Sequence, residues 1–242
     1  MKTVELIGPP GSGKSTAAEL LVAVLRDRGH DAQLVDADFF KRNKVRKKLV
    51  LKAVIPATRD CIRLFPLIVW INRHTLLTSI KWKRVVRVLF RTALARCIAE
   101  IEGRSSSGVL VLEPGYLMMI LNAAMYSKYA ESQGRSDRWL RYIRLPDAVA
   151  AFSVSGEVAQ QRMDNRPRGR PSRMQTLESS SQLDVVSRAN DFALDVVGTL
   201  SSTGKHVIAL DTTAKGANRI ATEIFLQLSV LAIVTSDQSE GE

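Results

Sequence analysis

The sequence predicts a three-layer α/β sandwich around a five-stranded parallel sheet. Two observations carry that expectation: short apolar runs alternate with amphipathic helical patterns, and a glycine-rich turn joins the first run to the first helical pattern. Residues 3–7, Thr-Val-Glu-Leu-Ile, read as a buried strand. A helix follows over about 15–28, with Ala17, Leu21, Val24 and Leu25 on one apolar face and Gly29 placed to end it. Residues 32–36 read as a second strand finishing in Asp36-Ala37-Asp38. The run 108–112, Gly-Val-Leu-Val-Leu, is apolar throughout, as a strand covered on both faces should be. Two more strands are expected at 147–154 and 205–210, and a last helix over about 216–231.

Two segments interrupt the alternation. Residues 41–104 read as almost wholly helical, and 165–181 is rich in Arg, Pro, Gly and Ser, as a mobile loop would be. Residues 235–242 read as a polar, frayed tail. The 242 residues suit a single domain carrying these two additions.

Residues 8–15 spell Gly8, Pro9, Pro10, Gly11, Ser12, Gly13, Lys14, Ser15, matching the phosphate-binding pattern G-x-x-x-x-G-K-[ST]. Glycines let the backbone curl so that successive N–H groups face phosphate oxygens, and the next helix adds the positive end of its dipole. Lys14 is expected to reach the terminal phosphates and the Ser15 hydroxyl to ligate Mg²⁺, with Thr16 completing the nucleotide-binding run.

On residues 8–15, Asp36-Ala37-Asp38, Glu113-Pro114-Gly115-Tyr116 and the arginine-rich loop, the chain resembles the P-loop nucleoside and nucleotide kinases, broadly the thymidylate-kinase-like and adenylylsulfate-kinase-like families. The resemblance spans most of the chain, although only the first motif is specific by itself. It implies a P-loop NTPase fold of the kinase type, ATP and Mg²⁺ as cofactors, and transfer of the γ-phosphate to a small acceptor. It further implies that Asp38, with Asp36 second, takes or orients the acceptor's proton, and that Glu113 stands near the metal or the acceptor. Helix capping would place the same residue type at 36 and 38, and a solvated loop would do so at 113. In the same families an arginine lid closes over the nucleotide. Here Arg162 and Arg166, four apart and therefore expected on one helix face, are its candidates over about 162–181, followed by Arg168, Arg170 and Arg173. Homodimers are common in those families. A typical thymidylate kinase has Asp-Arg-Tyr-like residues where this chain has Glu113-Pro114-Gly115, so the acceptor stays open.

Charge is unevenly distributed. The chain carries 35 Lys+Arg and 24 Asp+Glu. Residues 41–104 hold 17 of the bases and only three of the acids, Asp60, Glu100 and Glu102, leaving 18 against 21 elsewhere. So local an excess points to an anionic acceptor, an anionic membrane surface or, less well supported by any motif, nucleic acid. The apolar run 64–71 and the runs around Trp70 and Lys81-Trp82-Lys83-Arg84 suit a membrane-apposed helix as well as a packed one. The alternatives to a metabolite kinase are therefore a membrane-associated kinase acting on a lipid-linked or glycan precursor, and a nucleotide-dependent regulator or NTPase. Two cysteines without ligand spacing, and an N-terminus that leads straight into a strand, predict a reduced, cytoplasmic setting without structural zinc.

Overall fold

The computed structural model describes residues 1–74, 82–103, 108–125, 140–166, 174–175 and 178–231. The arginines at 168, 170 and 173, Lys81 and the expected tail lie outside them.

The strands are β1 (Lys2–Ile7), β2 (Ala32–Asp36), β3 (Val109–Glu113), β4 (Ala148–Ser153) and β5 (His206–Asp211), and every pairing is parallel in the order β2-β3-β1-β4-β5. Each expected strand is present to within a residue at either end. The register sets Asp36 of β2 opposite Glu113 of β3, so two acidic residues finish adjacent strands.

The two faces of the sheet are covered differently. Side chains alternate along β1, so Val4 and Leu6 pack on one side with α1 (Lys14–Asp27), while Ile7 packs on the other. A C-terminal helix, Ala217–Val230, joins α1 on the first face through Ile220, Ile224 and Leu228. The opposite face is covered by the helices inserted between β2 and β3, by the helix after β3, and by a long helix before β5. These are α2 (Phe39–Arg42), α3 (Lys47–His74), α4 (Trp82–Glu102), α5 (Tyr116–Met125), α6 (Gly156–Asp164) after β4, and α7 (Ser179–Ser202), so Ala217–Val230 is α8. Within 41–104, the described residues form α2, α3 and α4.

Two details differ from expectation. Residue 166 lies beyond the end of α6, whose C-cap is Asn165, so Arg162 and Arg166 do not share a helix face. Pro167 accounts for this, because the residue before a proline is pushed out of the helical region. The expected loop over 165–181 also ends early: α7 starts at Ser179, and buried Met174 is held by Gln182 Nε2 donating to its carbonyl at 3.0 Å.

A polar layer lies beneath β3 and α5. Glu5 is fully buried on the α5 side of the sheet, and its Oε1 accepts from Met118 N at 2.8 Å. A Cβ on Gly115 would sit 2.3 Å from the Glu5 carboxyl carbon, so only glycine lets the chain turn over this carboxylate. Next to it, the Tyr116 hydroxyl donates to Asp60 at 2.9 Å, and the Arg96 guanidinium lies 5.2 Å over the Tyr116 ring. Arg96 also donates to Glu100 at 3.0 Å and to the Arg144 carbonyl at 3.0 Å. Buried charges persist only when paired in this way, and the set ties α3, α4 and the start of α5 into one body.

Cys61 and Cys97 are free thiols. Among the described residues no helix is long and apolar enough to cross a membrane.

Candidate active site

The site is built at the carboxyl ends of the strands, beginning with the loop that leaves β1. Gly8, Gly11 and Gly13 have φ of 143°, 82° and 87°, a region that L side chains rarely enter. Close approach reinforces the need at two of them. A Cβ on Gly8 would meet the Phe152 carbonyl oxygen at 2.4 Å, and one on Gly11 would meet Ala159 O at 2.5 Å. The loop is thus clasped between the ends of β1 and β4 and the side of α6. Gly11→Ala is expected to lower stability by about 2 kcal/mol or more, from left-handed strain plus a backbone clash. That is a fall of roughly 5 °C in melting temperature. Gly13→Ala meets nothing within 4 Å and should bear the strain alone. Thermal melts of the two variants check the difference.

Inside the loop, Lys14 is folded back. Its Nζ donates to Pro9 O at 2.6 Å and to Ser12 Oγ at 3.1 Å, and only 6% of the residue is exposed. Burial pulls its pKa down to about 8; the nearby Glu113 charge opposes the fall and Arg166 adds to it. An ammonium held this way is prepaid for a phosphate, which would replace the carbonyl as its partner. Gly13 caps α1 without any side-chain hydrogen bond to the first turn. Those amides stay available to an anion. Ser15 and Thr16 are exposed at the same helix start.

Across from Ser15, a cleft of about 410 Å³ is lined by Ser15, Glu19, Asp36, Ala37, Asp38, Lys41, Arg42 and Glu113. Four of the expected site residues, Ser15, Asp36, Asp38 and Glu113, therefore meet in one cavity. Glu19, Lys41 and Arg42 were not anticipated. The signals were present: Glu19 is one helical turn beyond Ser15, and Lys41 and Arg42 close the turn that begins at Asp38.

Asp36 and Asp38 have different surroundings. Asp36 Oδ1 accepts from Asp38 N at 3.0 Å and pairs with Arg42 at 2.6 Å, which fixes the Asp-Ala-Asp turn. Asp38 stands at the N-cap of α2 but makes no side-chain capping bond; it pairs instead with Lys41 at 2.6 Å. The capping alternative thus describes Asp36 in part and Asp38 not at all. Asp38 is about one-third exposed to the cleft and Lys41 about three-quarters, so that pair is wet and readily exchanged.

No family model matches the sequence, and no curated protein matches it. The chain is similar to a solved structure of deoxyadenosine kinase from M. mycoides with bound dATP. The two are 13% identical, the alignment covers 96% of this chain and 100% of that one, and the TM-score is 0.46.

The remaining expected residues lie on the β4–α6 and β5–α8 side. Arg162 Nη2 donates to the carbonyls of Thr212, Thr213 and Lys215 at 2.8, 3.4 and 3.2 Å. It is therefore engaged by the loop after β5. Thr212 extends the link, its Oγ1 donating to Ser12 O at 3.2 Å and to Ser153 O at 2.8 Å. Arg166, by contrast, is exposed and its charge is felt at Lys14. The donors around Ser15 suit Mg²⁺: a hydroxyl and carboxylates, all hard oxygens. Among the described residues no cluster of three or more Asp, Glu, His or Cys could hold a metal by itself. Mg²⁺ ordinarily takes one or two carboxylates and completes its shell with phosphates and water.

Proposed function

We propose that the protein is a phosphotransferase that binds Mg-ATP in the 8–15 loop and passes the γ-phosphate to a small acceptor in the adjoining cleft. One observation carries the reading: Ser15 at the end of the phosphate loop and the acidic ends of β2 and β3, with Asp38 just beyond, line a single cavity.

The roles divide as follows. The loop amides and Lys14 hold the phosphates, and Ser15 with Glu113 are the groups that would hold Mg²⁺. Bound Mg²⁺ supplies charge neutralisation on the phosphates. Asp38 accepts the proton of the acceptor hydroxyl at a carboxylate oxygen, or orients that hydroxyl for in-line attack. Asp36, clamped by Arg42, keeps Asp38 in position. Lys41, whose pair with Asp38 is wet, is the cation at the cleft's rim that would turn to an anionic acceptor. Arg166 adds positive charge beside Lys14, while Arg162 joins the lid's root to the loop after β5.

Asp38→Asn and Asp36→Asn separate these roles. Loss of a general base costs about 10²–10⁴-fold, so Asp38→Asn should lower transfer by that order and leave ATP affinity within about twofold. Asp36→Asn should act more weakly, through misplacement of Asp38. Equal, small effects in transfer assays with γ-labelled ATP would remove Asp38 from the chemistry. Label appearing only as inorganic phosphate would favour the regulatory NTPase.

A further inference from the structure

The helix α3 shows solvent a face that the proposed chemistry does not use. Leu51, Ile55, Ile62 and Phe65 are 71, 78, 67 and 55% exposed. Their separations of four, seven and three residues keep them on one stripe of the helix. The opposite stripe, Ala53, Ala57, Asp60 and Leu64, is buried against the body of the protein. Lys48, Lys52, Arg59 and Arg63, all exposed, run along the edge of the apolar stripe at separations of four, seven and four. The single acid of α3, Asp60, is buried and bonded to Tyr116, so no carboxylate of α3 offsets the cations.

We infer that this face of α3 lies on an anionic lipid surface. Bulky aliphatic side chains bordered by cations match the chemistry of a bilayer interface, where the apolar stripe enters the acyl boundary and the cations meet lipid phosphates. A second copy of the chain fits less well, because a two-fold pairing would set the same cations against each other. Nucleic acid would satisfy the cations but leave Leu51, Ile55 and Ile62 without a role. The inference is independent of the phosphoryl-transfer reading.

The test is sedimentation of the full chain with vesicles of phosphatidylcholine alone or of phosphatidylcholine mixed with phosphatidylglycerol, whose negative surface potential attracts polybasic segments. Binding is expected only to the anionic vesicles, weakening with salt. Ile55→Ser/Ile62→Ser and Lys52→Ser/Arg59→Ser should each lower partitioning, the latter by roughly fivefold per charge removed. Both pairs are exposed, and unchanged melting and ATP affinity would show that the variants fold. Equal partitioning to neutral and anionic vesicles, or none to either, overturns the inference. So does a dimer in light scattering that Ile55→Ser/Ile62→Ser dissolves, or binding of single-stranded DNA that outcompetes the vesicles and ignores the isoleucine substitutions.

Discussion

Lys14→Ala is expected to lower ATP turnover at least about a hundredfold, the scale seen when one preorganised charge-stabilising donor is removed from an active site. It should do so without unfolding the protein. Pro9 O also accepts from Ser12 Oγ at 2.9 Å and from Ser12 N at 3.3 Å, so the truncation leaves no buried carbonyl bare. It also removes a cation that burial already disfavours, shown by its pKa near 8. The pH dependence sharpens the prediction. Because the folded pKa lies below the ordinary 10.5, the unfolded chain binds more protons between about pH 8 and 10.5. The destabilisation is fully present below pH 8, and stability rises through that window as the folded lysine stays neutral. Lys14→Met should abolish the rise. In kinetics the sign reverses, since the phosphate needs the charged form. The kcat/KM for Mg-ATP, which reports the free enzyme, should fall above about pH 8. Bound phosphates restore the ammonium, so kcat should hold to higher pH. A profile flat to pH 10 in both parameters would mean that Lys14 does not face the nucleotide.

Glu5→Gln should make the protein more stable above pH 7 by up to about 3 kcal/mol, the equivalent of a shift from 4.5 to about 7. Burial is the main cause of that shift. The amides of Met118, Leu117 and Tyr116 at the start of α5, and the charge of Arg96, pull the other way and lose. A raised carboxyl pKa means that the folded state binds more protons than the unfolded one between pH 4.5 and 7. Stability is then highest below that window and declines as pH rises through it. Glutamine imitates the protonated form: it keeps an oxygen for Met118 N, and its amide replaces Oε2, which has no hydrogen-bond partner. Wild type and variant should coincide near pH 4.5 and diverge towards pH 8 in denaturant titrations. Parallel curves would place the proton elsewhere.

The fold was legible because the local signals agree with each other. Apolar runs such as 108–112 have one reading when the sheet is covered on both faces, and the glycines at 8, 11 and 13 share the positive φ that curls the loop. No helix was expected after the 165–181 loop, although Val185, Val186, Ala189, Ala193, Val196 and Leu200 of α7 follow the helical period and are buried. The site was legible only where a motif fixes a backbone. Strand order, which no local pattern encodes, is what sets Asp36 beside Glu113. The pairing of Asp36 with Arg42 and of Asp38 with Lys41 depends on how a four-residue helix turns. Arg162 and Arg166 looked equivalent at spacing four, but Pro167 ends the helix between them. One then holds carbonyls of the loop after β5 while the other remains beside Lys14. Glu5 gave no signal at all: a single acid inside an apolar strand becomes meaningful only when the start of α5 is seen above it.

The most direct test of phosphoryl transfer is to incubate the protein with Mg-ATP and a cell metabolite extract and to search by mass spectrometry for newly phosphorylated species. Lys14→Ala and Asp38→Asn variants would run in parallel. The expected result is one product class bearing an added phosphoryl group, lost in both variants. ATP consumed in a Lys14-dependent way with no phosphorylated product, either from the extract or from extract supplemented with anionic vesicles, would contradict the kinase assignment.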